Sequence, residues 1–262
     1  MVYKLSKALV NSRFQFLKNR FQRIYIDQTV IEFLKRIRRF FDFSGTNVYI
    51  QSSDDQFRSW DIIQNIWPLV NDNICCLLRL NSPRLDRLRR ISPAILRNCA
   101  NLRSIHSIGP FPVFPGDDNG GASSDQALAK WLLTPRGDCL PKILYCWFYS
   151  AEIEGVKGSF VNASESVNFI IRLRSFAGIV PFELKNNLTG ERLTLRQMDK
   201  DNWLLVRCPI GREEDKWANW EKEAIEWNWY RQWNRIDINF KDRKIGDGMV
   251  GANDEGPGEP NE

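Results

Sequence analysis

With 262 residues, 43% of them hydrophobic and 12% aromatic, the chain has the apolar content for a buried core, which sets it apart from disordered or fibrous sequences. It contains no run of about 18 apolar residues and no apolar N-terminal core of the kind a secretory signal carries, so no membrane span is expected, and a soluble cytoplasmic or nuclear protein is. The net charge of +5 is unevenly shared: residues 1–110 hold 18 Lys/Arg against 8 Asp/Glu (+10), and residues 111–262 hold 19 against 24 (−5). The halves read as solvated faces in loose mutual attraction, or as a basic surface open to an acidic partner.

The predicted elements begin with a lone amphipathic helix over residues 1–20, in which Leu5, Leu9, Phe14, Phe16 and Leu17 alternate with Lys and Arg. A strand at 23–26 leads to a helix whose Val30, Phe33, Leu34, Ile37 and Phe41 share one face, while Lys35, Arg36, Arg38 and Arg39 share the other. Ser44-Gly45-Thr46 breaks that helix. A strand at 47–50 follows, then a helix opened by Ser59 and carrying Trp60, Ile62, Ile63, Ile66 and Trp67. Residues 74–80 form the next strand, residues 84–97 a helix with Leu85, Leu88, Ile91, Ile95 and Leu96 at helical spacing, and Cys99 to Leu102 a turn into a strand starting at Arg103. Strand starts near 23, 47, 74 and 103 lie 24, 27 and 29 residues apart, the period of a leucine-rich-like repeat, whose units stack because none buries its own apolar face.

Residues 109–124 are rich in proline and glycine and read as a surface loop; Ser124 caps a helix over 125–133, and 141–149 reads as a fifth buried strand. Residues 167–174, 180–185, 191–197 and 203–208 alternate with period two between turn-formers, an antiparallel meander. A helix over 213–233 places Glu213, Glu214 and Asp215 at the positive end of its dipole and Trp217, Trp220, Ala224 and Trp227 in one core-facing stripe. Ile236, Ile238 and Phe240 suggest a last strand. The expected architecture is α/β, a short leucine-rich-repeat-like strand–helix layer continuing into an antiparallel β meander packed by a C-terminal tryptophan-rich helix. Residues 21–240 would form the single domain (21–150 the repeats, 160–240 the meander and helix), flanked by the helix at 1–20 and a disordered acidic tail at 241–262.

Few residues are placed for chemistry. Cys75, Cys76, Cys99, Cys139, Cys146 and Cys208 form no C-x-x-C pair and mostly lie in apolar runs, so reduced thiols are expected, with neither a disulfide framework nor a zinc site. The sequons at Asn162 and Asn187 matter only on a secretory route and are read as chance. His106 is the only histidine, so any histidine-dependent triad hinges on it, and the phosphate-loop, dinucleotide, nucleophile-elbow and zinc-protease strings are missing. Asp117 to Gly121 lacks the alternating ligands of a calcium loop. No cofactor, metal or catalytic residue is expected. The remaining signal is arginine on the helices of the basic half, and Arg36, Arg39, Arg87 and Arg90 are the candidate partner contacts. Nucleic acid is the rival partner, disfavoured because Phe33, Phe40 and Phe41 fall on the buried stripe instead of interleaving with those arginines.

Several blocks resemble the expanded F-box-type protein family of plant-parasitic cyst nematodes: Ile24-Tyr25-Ile26-Asp27, Leu85-Asp86-Arg87-Leu88-Arg89, Thr134-Pro135-Arg136-Gly137-Asp138, Asn168-Phe169-Ile170-Ile171-Arg172, the run from Phe182 to Leu193, and Trp217-Ala218-Asn219-Trp220-Glu221. The resemblance implies a non-catalytic protein-binding module like the substrate-recognition region of an F-box subunit of a cullin-type ubiquitin ligase. Only Val10 to Leu17, which resembles the last helix of an F-box, precedes the first strand. A target protein is thus a firmer expectation than a Skp-type adaptor.

Overall fold

The computed structural model describes residues 45–53, 55–109, 111–147, 152–174, 179–228, 232 and 235–238. The elements expected at 1–20, 23–26 and 30–41, Arg36 and Arg39 among them, and the expected tail at 241–262 lie outside the described residues. Within them the chain is a mixed α/β structure with one nine-stranded sheet and six helices.

The first part alternates strand and helix: β1 (Thr46–Ile50), α1 (Phe57–Val70), β2 (Ile74–Leu80), α2 (Ser82–Arg89), α3 (Ile95–Asn98), β3 (Ser104–Ser107), α4 (Ser124–Leu132), β4 (Lys142–Trp147), α5 (Ile153–Val161) and β5 (Phe169–Arg174). The second part is β6 (Phe182–Asn186), β7 (Glu191–Gln197), β8 (Asn202–Pro209), α6 (Glu214–Glu226) and β9 (Arg235–Ile238). The strand order is β6-β7-β8-β5-β4-β3-β2-β1-β9, parallel from β5 to β9 and antiparallel from β5 to β6.

Because β1 to β5 advance one place at a time in one direction, right-handed crossovers put all their helices on one face. The core follows that rule. Val48, Leu77, Ile105, Leu144, Ile171 and Leu205 pack with Trp60, Leu88, Leu128 and Phe160 of the crossover helices in one cluster. The alternate residues Ile143, Ile170, Leu204, Val206 and Cys208 pack with Trp217 and Ala224 of α6 on the other face.

The helices differ from expectation at three places. The helix expected over 84–97 is two helices, because Pro93 lacks an N–H and disfavours helical backbone at Ser92. The first of them starts earlier than expected, at Ser82, with the Asn81 side chain accepting the Arg84 N–H at 3.1 Å and Pro83 in the opening turn. Helix α5 was not expected at all, since Gly155 and Gly158 weigh against helix, yet Val156 and Phe160 one turn apart bury their side chains. The helix expected over 213–233 stops at Glu226, where Trp227 turns extended with ψ 128°.

The antiparallel part also differs in connection. Only β6, β7 and β8 form a meander; β5 pairs with β8 instead of β6, and β9 crosses the whole sheet to lie parallel against β1. The loop after β3 is pressed onto α4 so closely that a Cβ at Gly116 would stand 2.5 Å from the Lys130 nitrogen.

An ion pair holds α5 to the sheet. Arg207 and Glu191 have side chains only 2% and 1% exposed, bonded at 2.6 Å; Glu191 also accepts the Val167 N–H, Arg207 donates to the Glu165 carbonyl, and its guanidinium lies 5.2 Å from the Phe160 ring. Glu191→Ala leaves the arginine charge buried without its partner and should cost about 3–5 kcal/mol, while the double change Glu191→Leu with Arg207→Met should recover most of it. Chemical denaturation of the three proteins checks this. On α6, Trp217 is buried and Trp220 only half-buried, stacked edge-on at 5.2 Å. Trp217→Ala should therefore cost about 3–5 kcal/mol and Trp220→Ala clearly less, by the same measurement.

Candidate binding surface at the carboxyl rim of the sheet

The α6 face of the sheet is built from a cross-strand row in which Tyr49, Leu78, His106, Tyr145 and Arg172 are successive register partners. This row receives the end of α6. The Tyr145 hydroxyl donates to the Ala224 carbonyl and Arg172 Nη1 donates to the Ile225 carbonyl at 2.8 Å, so two sheet donors satisfy acceptors that the last helical turn leaves unpaired. Arg103 adds a two-point ion pair to Glu223 at 2.8 and 2.9 Å. Trp227, just past the helix, tilts over His106 with ring centroids 3.9 Å apart, and His106 stacks on Tyr145 at 3.7 Å.

That packing decides what the only histidine does. Its Nε2 is sealed and has no hydrogen-bond partner, and burial first, then the Arg172 charge, holds its pKa down at about 3. It is a neutral stacking ring. Burial likewise pushes the Cys75 thiol up to about 11 and the Cys99 thiol up to about 12, while Cys139 is exposed. Among the described residues no His, Cys, Asp and Glu side chains gather as a metal site would.

Lys142 at the start of β4 is also buried. Its ammonium reaches the Trp131 and Thr134 carbonyls at the end of α4 and lies 5.0 Å from the Trp131 ring centre, while burial, followed by the charges of Arg136 and Arg97, brings its pKa down to about 7. It closes a helix end.

The arginines of the first half divide into fasteners and surface. Arg89 donates to the Asn119 and Ala122 carbonyls and Arg97 forms a two-point pair with Asp118, so both hold the proline- and glycine-rich loop. Arg136, beyond that half, similarly ties Leu102 to Asp138. Of the expected contacts, Arg87 lies with its guanidinium 4.5 Å over the ring of Phe57, and Arg90 is exposed at the opposite end of α2 from its N-cap. Arg87 and Arg90, three positions apart at the end of α2, are neighbours on the helix surface, and of the two Arg87 is the one set against an aromatic ring.

Parallel strands end on one edge, the usual ligand-facing rim of an open α/β sheet. Here that rim is apolar and aromatic. Phe57, which opens α1 after β1, is 60% exposed; Ile108 and Val113, which follow β3, are exposed; and Trp147, the last residue of β4, is 37% exposed. Arg174, the register partner of Trp147 at the end of β5, stands 5.1 Å over its ring. Two aromatic–guanidinium pairs, Phe57 with Arg87 and Trp147 with Arg174, thus mark the rim, each of the type worth about 0.5–1 kcal/mol at an exposed site. Phe57, Trp147 and Arg174 were not among the expected contacts. Trp147 sits in the apolar run PKILYCWFY, where period-two reading makes every aromatic a core candidate, and only the end of the strand lifts it out.

No family model, curated protein or solved structure matches the chain.

The histidine supplies a pH test of this face. Its folded pKa lies below the ordinary 6.5, so the unfolded chain takes up a proton as pH falls through 6.5 while the folded chain does not until about 3; stability is lost across that window. His106→Phe keeps the stack and removes the titration. Denaturation midpoints taken between pH 7 and pH 4 should fall less steeply for the variant than for the parent protein.

Proposed function

We propose that this chain is a non-catalytic protein-binding module, and that it holds its target at the carboxyl rim of the parallel strands. The observation that carries the reading is the exposed rim itself, where Phe57 and Trp147 stand beside Arg87 and Arg174 with Ile108 and Val113 between the two pairs in the strand order. Aromatic and arginine side chains dominate the energetics of protein interfaces, and exposed apolar groups clustered on one edge mark such sites. The neutral stacked histidine and the buried, raised thiols of Cys75 and Cys99 support binding over catalysis. The resemblance of the Leu85 to Arg89, Phe182 to Leu193 and Trp217 to Glu221 blocks to F-box-type proteins supports a target-recognition role within a cullin-type ubiquitin ligase. Recruitment of a Skp-type adaptor is not needed for this reading.

The fastening of Arg89 and Arg97 into the loop weakens the nucleic-acid alternative, because those guanidinium groups are already spent on carbonyls and a carboxylate. Trp147→Ala with Arg174→Ala, which removes exposed side chains, should leave the melting temperature nearly unchanged while abolishing capture of the proteins that the parent chain retains in matched pull-downs. The same two proteins should show no shift of mixed duplex and single-stranded DNA and RNA at low and high salt. Micromolar nucleic-acid binding that falls steeply with salt and is lost in Arg87→Glu with Arg90→Glu would replace the protein-binding reading.

A further inference from the structure

Among the described residues strand β6 ends the sheet, and the direction of its backbone groups follows from its neighbours. The Ile210 N–H donates to the Gly190 carbonyl at 2.9 Å, which makes Gly190 and Ile210 a hydrogen-bonded pair at the start of the β7–β8 ladder. Bonded and non-bonded pairs alternate in an antiparallel ladder, so Glu191, Leu193 and Leu195 turn their backbone groups toward β6, where their partners are Asn186, Leu184 and Phe182. The N–H and C=O groups of Glu183 and Lys185 are therefore aimed outward. Pro181 before them has a carbonyl but no N–H, which limits the pairable stretch to these two residues.

We propose that two copies of this chain associate through β6, antiparallel, about a two-fold axis at Leu184. The register is written in the edge. With Leu184 on the axis, Glu183 of one copy faces Lys185 of the other, and the reverse, so four main-chain hydrogen bonds form alongside two opposite-charge pairs. Within one copy the same two side chains stand 3.8 Å apart and are 50% and 60% exposed, so neither is committed elsewhere. On the opposite face of the strand Leu184, half-buried in the monomer, meets its own copy as a non-bonded pair with Cα atoms about 4.5 Å apart, where side chains come closest.

Beyond the strand, the same axis sets the Val180 end of one copy beside the β6–β7 turn of the other, which carries Leu188. These two are the most exposed large apolar side chains among the described residues, at 79% and 78%, and they lie four positions either side of Leu184. A monomer gains nothing from exposing both. Charge, hydrogen-bonding and apolar groups are each self-complementary about one point, which a strand edge meant to repel partners would not show. The contact is short, so the association is that of a weak dimer, and it closes on itself because each copy uses its β6 edge once.

Sedimentation of the full chain between about 10 µM and about 1 mM should show a monomer–dimer equilibrium. Glu183→Lys puts like charges opposite one another and should weaken dimerisation roughly tenfold, and the exchange Glu183→Lys with Lys185→Glu should restore it. Lys185→Pro removes an outward N–H without touching the β7 ladder and should abolish the dimer, with melting curves confirming that all variants stay folded. A monomer at every concentration, or a dimer unaffected by Glu183→Lys and Lys185→Pro, overturns the proposal.

Discussion

Strands β4, β5 and β8 are buried on both faces, and the arrangement of everything else depends on that. Neighbouring residues of each strand, Ile143 and Leu144, Ile170 and Ile171, Leu204 and Leu205, enter different cores and are all 1% exposed or less. At roughly 1.5–3 kcal/mol for each fully buried aliphatic side chain, these six alone favour a cover on either side of the sheet. The crossover helices supply one cover and α6 the other. The contrast with β1 and β3 is informative: beyond the reach of Trp217 and Ala224, the α6-side positions change to Asn47, Tyr49, Ser104 and His106. The double burial therefore sets where α6 lies, and the row of Tyr145 and Arg172 sets where it ends.

Charge in this protein is used mainly for fastening. The basic first half reads as an open surface, yet Arg89 and Arg97 are directed at carbonyls and a carboxylate of the loop that follows that half, Arg136 binds Asp138 nearby, and Arg103 crosses to Glu223 on α6. The attraction between the two halves is thus partly a specific two-point pair. A second set of charges surrounds α6, where Arg212 pairs with Glu214 and Glu221 and lies 5.3 Å from the Trp217 ring. Arg87 and Arg174 differ from these in lying over exposed aromatic rings, Phe57 and Trp147. The rim of the sheet and the edge of β6 are separate surfaces, so the proposed target binding and the proposed self-association would use different side chains.

Strand and helix identity was legible from periodicity wherever a run was long or cleanly alternating. Residues 74–80 and 191–197 form strands with the expected bounds, and Trp60, Ile63 and Trp67 lie buried on the expected helix. The errors fall where a single residue outweighs the pattern: Pro93 divides a helix, and the glycines of α5 disguise one. The candidate surface was less legible. Arg87 was marked by its charge, but Phe57, Trp147 and Arg174 look like core or flanking residues until the strand ends are known.

What the sequence determined by itself is the α/β class, the succession of most elements and the absence of recognisable catalytic strings, because these depend on spacing along the chain. Tertiary structure decided that β5 pairs with β8, that β9 returns to β1, that His106 is sealed between Tyr145 and Trp227, and that Glu183 and Lys185 face outward. Each of these joins residues far apart in the chain or turns on which neighbour a backbone group meets. Local periodicity carries the face a side chain takes, but strand order follows from the crossover hand and from which apolar faces cover one another, and those are properties of the assembled sheet.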